Sequence, residues 1–129
     1  MRPASILAGL AALASVPAFA HPARTPEAQL ADEVRGRVAG ALVDCIDPHD
    51  VTSTEIIDGT AILYRVGGRL YVNRPRGGAQ ALRDDDVLMT QVYGAQLCRR
   101  DIVRLVDRAS RGLRGFVSLG AFVPYTKLR

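Results

Sequence analysis

One stretch limits what this chain can fold into more than any other. Thr60 to Arg74 reads TAILYRVGGRLYVNR, two β-type runs around Gly67-Gly68. A two-residue type I′ turn needs positive φ at both central positions, which glycine reaches without steric cost. The Ile, Leu, Tyr and Val residues on either side suit a pleated surface. Such a turn sets the register, placing Val66 opposite Arg69, Arg65 opposite Leu70, Tyr64 opposite Tyr71 and Leu63 opposite Val72. Tyr64 and Tyr71 then share one face, and Leu63 and Val72 share the other. Both faces are partly apolar, so the hairpin requires cover on both sides. Alone it would be marginal in water.

One candidate for that cover lies upstream. Thr25-Pro26-Glu27 has a capping hydroxyl, proline at the first helical position and an acid in the first turn. Leu30, Val34, Val38 and Leu42 follow at four-residue spacing, which predicts a helix over Pro26 to Gly40. Gly36 and Gly40 weaken it, at about 1 kcal/mol each against alanine. Short strands are predicted over Ala41 to Ile46, Val51 to Ile57, Val87 to Tyr93 and Ile102 to Val106. A last strand is predicted over Phe116 to Val123, interrupted by Gly120 and ended by Pro124. Asp47-Pro48-His49-Asp50, Asp58-Gly59, Pro75 to Asp86 and Ala109 to Gly115 read as turns and loops. The acidic run Asp84-Asp85-Asp86 reads as a solvated turn. The fold class predicted is β-rich α+β: a small, mostly antiparallel sheet or barrel with one N-terminal helix.

The first twenty residues read as a secretory signal. Met1-Arg2 is a short basic start, Ile6 to Val16 is an apolar run, and Pro17-Ala18-Phe19-Ala20 supplies small residues where a signal peptidase reads. Cleavage after Ala20 would leave His21 as the mature N-terminus. The apolar run is too short for a membrane span, and so is the best later candidate, Gly115 to Val123. The organisation expected is a signal peptide over 1–20, a leader with an amphipathic helix over 21–43, and a β-rich domain over 44–129. The compartment expected is the periplasm, with secretion as the alternative.

Two cysteines, Cys45 and Cys98, stand in the chain. An even count in an exported protein suggests a disulfide, and the chain-entropy model values a loop of this length at about 4 kcal/mol. A pair of free buried thiols is the alternative. Asp44-Cys45-Ile46, the hairpin, Leu97-Cys98-Arg99-Arg100-Asp101 and Leu119-Gly120-Ala121-Phe122-Val123-Pro124 together resemble a family of small exported bacterial proteins that carries a domain-of-unknown-function label. The resemblance spans about Asp44 to Tyr125. That family has four cysteines, two of which match Cys45 and Cys98. The other two would fall near Ala79 and at Val117, and neither is cysteine in this chain. The joint absence of one pair is what a lost disulfide would look like, so the resemblance favours pairing of the two that remain. Arg100 stands where the resemblance would place glycine. The resemblance implies no catalytic residues.

Charge is distributed unevenly. With Arg2 removed, sixteen basic residues face thirteen acidic ones, a net charge of +3. His21 to Asp58 carries −5, Gly59 to Cys98 +2 and Arg99 to Arg129 +6. Either the two ends lie together and offset each other, or the last third presents an anion-binding face through Arg99, Arg100, Arg104, Arg108, Arg111 and Arg114. An anionic component of the cell envelope is the partner this suggests. Nucleic acid is disfavoured, because stacking aromatics are not interleaved with the arginines; Phe116, Phe122 and Tyr125 read as structural. The chain has no nucleophile elbow, phosphate loop, HExxH or dinucleotide fingerprint. It reads as a non-enzymatic exported protein without cofactor, acting by binding or as an envelope component. The alternative is a small copper-binding protein. The α-amine and imidazole of His21 and the ring of His49, beside Asp47 and Asp50, would supply nitrogen ligands suited to Cu(II).

Overall fold

A computed structural model describes residues 3–5, 8–16 and 24–128. Residues 3–5 and 8–16 carry no secondary structure and are exposed. The cleavage position after Ala20, and His21 with it, lie outside the described residues. From Arg24 onward the elements run α1 (Pro26–Glu33), β1 (Arg37–Ala39), β2 (Cys45–Ile46), β3 (Ser53–Ile57), β4 (Ala61–Val66) and β5 (Arg69–Asn73). There follow β6 (Val87–Thr90), β7 (Leu97–Cys98), β8 (Ile102–Val106), β9 (Leu113–Ser118) and β10 (Phe122–Lys127), with 3-10 turns at Pro48–Asp50 and Ala79–Ala81. The fold is β-rich α+β, and all its strand pairs are antiparallel. Its sheets stay open rather than closing into a barrel. One has five strands in the order β1-β10-β5-β4-β3, one has three in the order β6-β8-β9, and β2 pairs with β7.

The β4–β5 hairpin takes the register its turn dictates, with Tyr64 opposite Tyr71 and Leu63 opposite Val72. Only Gly67 adopts positive φ, +57°, so the turn follows the II′ pattern rather than I′. Both faces of the hairpin are covered. On one side Leu63, Leu70, Val72, Ile57 and Ala61 form a core with Leu30 of α1, and Val34 packs at its margin. On the other, Tyr64, Ile56, Ile62 and Phe122 meet Val103, Leu105 and Val117 of the three-stranded sheet. The Tyr64 and Phe122 rings meet edge-on, with centroids 5.7 Å apart. The Tyr64 hydroxyl is buried without a partner among the described residues, and burial pushes its pKa up.

The helix is shorter than its apolar spacing predicts. It ends at Glu33, where Val34 caps it through bonds to Leu30 and Asp32, and Gly36 turns the chain at φ +74°. Arg37 to Ala39 then pairs with β10, so Val38 is a strand residue and lies 48% exposed. A sheet edge gives these residues backbone partners that a helix broken by two glycines could not match. Thus the stretch expected as a leader supplies both a helical cover and an edge strand.

The final apolar segment also divides differently. Phe116 belongs to β9 and Phe122 to β10, in different sheets, and Leu119 to Ala121 cross between them. The crossing is clamped. The Asn73 side-chain amide donates to the Gly120 carbonyl at 2.8 Å, and Gly120 N–H donates to the Asn73 amide oxygen at 2.9 Å, both buried. A Cβ on Gly120 would stand 2.3 Å from the Arg74 carbonyl oxygen, so glycine is required there. Pro124 does not stop the strand. Its carbonyl accepts from Gly40 at 2.7 Å, so its nitrogen also faces the β1 side, where no ladder bond with β5 is lost.

Cys45 and Cys98 stand opposite each other in β2 and β7 and form a disulfide, with 4.0 Å between their Cα atoms. It ties together a two-rung sheet whose other pair, Ile46 and Leu97, is buried in the core. Replacing both cysteines by alanine is expected to lower stability by about 4 kcal/mol. The measurement is a urea midpoint against the oxidised parent, and an unchanged midpoint would show that the loop is held by other contacts.

Candidate anion-binding groove

The turn between β7 and β8 positions the first basic side chain. Cys98 is held by its disulfide. Arg99 N–H donates to the Asp44 carbonyl at 2.7 Å, and Arg100 N–H to the Leu119 carbonyl at 2.9 Å. The Asp101 carboxylate turns back to accept from Cys98 N–H at 2.7 Å. Arg100 is thereby fixed at φ +76°, a conformation that costs a non-glycine residue about 1–2 kcal/mol. Its side chain is exposed, with no hydrogen-bond or ionic partner among the described residues.

β8 supplies the second cation. The register sets Met89, Arg104 and Phe116 in one row across β6, β8 and β9, with Ile102 on the same side by alternation. The opposite side carries Val103, Leu105 and Val117 into the core. The outward row is left open, with Met89 at 52%, Ile102 at 50% and Phe116 at 50% exposure. Together with Arg100 and Tyr93 these residues line a groove of about 610 Å³. Asp101 is the acid in its lining, and its carboxylate is already engaged by Cys98. The groove therefore offers two guanidinium groups, unpaired among the described residues, beside an apolar floor.

The six arginines from Arg99 to Arg114 do not act alike. Arg114 is half-buried and ion-paired with the buried Asp86. Asp86 is thus a structural partner rather than part of a solvated acidic turn. A bulge between Leu105 and Val106 permits this pairing, because the extra residue in β9 lets Arg114 leave the outward row. Arg99 reaches Asp44 at 3.9 Å, and Arg108 donates to the Asp85 carbonyl at 3.3 Å. Arg111 lies exposed in the β8–β9 turn at φ +60°. There the Asp107 carboxylate accepts from Ala109 and Ser110 N–H, which hold its pKa below the ordinary value. Arg100 and Arg104 alone of the six share the groove.

Three acids of the first third, Glu27, Glu33 and Glu55, are matched by arginines from the middle of the chain. Arg74 forms a two-pronged pair with Glu27 at 2.8 and 2.9 Å, and Arg65 bridges Glu33 at 2.8 Å and Glu55 at 3.3 Å. Burial and the neighbouring Glu33 raise the Glu55 pKa. Glu55, Asp86 and Arg108 line a second cleft, of about 460 Å³, between β3 and β6. Its Glu55 and Asp86 carboxylates are taken up by Arg65 and Arg114.

His49 sits 84% exposed in the Pro48–Asp50 turn, its Nδ1 at 3.0 Å from Asp47. Its backbone and side-chain bonds lower the Asp47 pKa. Among the described residues no three His, Cys, Asp or Glu side chains converge as metal ligands. No helix among them is long and apolar enough to cross a membrane.

Phe116 departs from the structural role its sequence suggests, because it faces outward. Met89 and Ile102, also in the groove, carried no functional signal in the sequence. The available clue was that β8 is apolar on both alternating faces while only one face meets the core. The 3-10 turn Ala79–Ala81 packs against β9. No family model, curated protein or solved structure matches the chain.

Arg114 and Arg104 are expected to separate cleanly on substitution. Arg114→Ala strands the buried Asp86 and costs about 3–5 kcal/mol. Arg104→Ala changes stability by no more than about 0.5 kcal/mol. Urea unfolding of the two variants checks this, and equal losses would contradict the assignment.

Proposed function

We propose that this protein is exported by its first twenty residues to the periplasm and acts there as a non-enzymatic binding protein. Its ligand is an anionic envelope component that also has an apolar part. The observation that carries the reading is Arg100, held in a left-handed conformation that glycine would adopt more cheaply. There its guanidinium, unpaired among the described residues, lines an exposed apolar groove together with Arg104. Local strain of this kind persists where surrounding structure enforces it, and it concentrates at binding sites. Two cations suit a phosphate or carboxylate through charge-assisted hydrogen bonds. Met89, Ile102 and Phe116 suit a hydrocarbon segment alongside.

The test uses protein recovered from a periplasmic fraction, whose intact mass is expected to begin at His21. Calorimetric titration with dodecyl phosphate below its micelle concentration is expected to show saturable, salt-sensitive binding. Arg100→Gly is expected to weaken binding at least about fivefold while raising stability by up to about 1 kcal/mol, since the strain is relieved. Equal affinity for an uncharged dodecyl glycoside, or unchanged binding in an Arg100→Gly, Arg104→Ala double variant, would refute the assignment.

A further inference from the structure

The apolar surface extends beyond the groove. Val87, Val106 and Leu113 form a second outward row parallel to Met89, Arg104 and Phe116. Leu113 is 57% exposed, and neither it nor Val87 lines the groove. The five-stranded sheet has α1 over its outer face, whereas the outer face of the three-stranded sheet has no covering layer among the described residues. We propose that this whole face docks flat on an anionic lipid bilayer, with Leu113, Met89, Phe116 and Ile102 entering the headgroup boundary and Arg100 and Arg104 bound to lipid phosphates.

This rests on the reading of the groove as a site for anion plus hydrocarbon, and it names the partner as a packed lipid surface rather than a single molecule. Three observations favour that partner. The apolar side chains stand up half-exposed from an open sheet, the arrangement a flat lipid surface would meet. They cover more of the face than a single ligand in the groove would touch. Tyr93, 85% exposed at the groove margin, has the amphipathic ring favoured at a membrane–water boundary. A second copy of the chain fits the face poorly, because a two-fold contact centred on the Met89–Arg104–Phe116 row would bring Arg104 against Arg104. Anionic lipid removes that conflict, since its negative surface potential attracts the arginines.

Co-sedimentation with sucrose-loaded vesicles tests this on the full mature protein. Vesicles of phosphatidylglycerol and phosphatidylcholine in equal parts are expected to bind it at low salt and release it at high salt. Pure phosphatidylcholine is expected to bind far less. Arg104→Gln is expected to weaken partitioning about fivefold. Leu113→Ser is the decisive variant, because it lies outside the groove: it should weaken vesicle binding and leave dodecyl phosphate affinity unchanged. Thermal midpoints within a few degrees of the parent confirm that both variants fold. Dodecyl phosphate binding without vesicle binding overturns the docking proposal and leaves the groove reading intact, whereas loss of both overturns both. Vesicle binding indifferent to Leu113→Ser and Arg104→Gln, or a concentration-dependent dimer abolished by Leu113→Ser, also overturns it.

Discussion

The structure depends on one sheet being buried on both faces. Alternation along β4 sends Leu63 into the core beneath α1 and Tyr64 into the core shared with the three-stranded sheet. Every other layer is arranged by that demand. The helix is short and contributes one buried side chain, Leu30, but it lies where the hairpin would otherwise expose Leu63, Leu70 and Val72. The three-stranded sheet covers the opposite face and receives the larger core. Tethers at the margins hold the layers together: the disulfide, the Asn73–Gly120 clamp, the Arg65 bridge and the Arg74–Glu27 pair.

That layering ends asymmetrically. The three-stranded sheet carries apolar residues on both sides, and only its inner face is covered within the described residues. The open face also carries two arginines, Arg100 and Arg104, without acidic partners among the described residues. Several arginines elsewhere are used structurally: Arg114 on Asp86, Arg74 on Glu27, Arg65 between two glutamates. Positive charge left uncompensated beside exposed hydrocarbon distinguishes this face from the polar cleft between β3 and β6. The Arg100 backbone points the same way, because the disulfide and the Asp101 carboxylate hold that turn in a shape its side chain disfavours.

Much of the fold is legible in the residues, and the reason is local. Gly67-Gly68 with alternating flanks determines the β4–β5 register, because a two-residue turn leaves no freedom to slip. The alternation along that hairpin predicts the need for cover on both faces, and the β-branched run between Asp101 and Asp107 predicts β8 to the residue. Thr25-Pro26 locates the helix start by the same kind of short-range chemistry. Where that helix ends was not legible. Leu30, Val34 and Val38 share a helical period, yet Val38 pairs with Thr126, nearly ninety residues away. Pro124 likewise reads as a stop until its position relative to β1 shows that its missing N–H lies off the β5 ladder.

The sequence by itself determined the hairpin, the class of fold and the basic character of the last third. All of these follow from near neighbours, counts or composition. Only tertiary structure decided which arginines remain free, because pairing depends on which carboxylates come within reach in space. It also decided that Phe116, Met89 and Leu113 face outward, since alternation separates two faces of a strand without saying which one meets the core. The candidate site is built from those two outcomes, and so it became visible only once the sheets were packed.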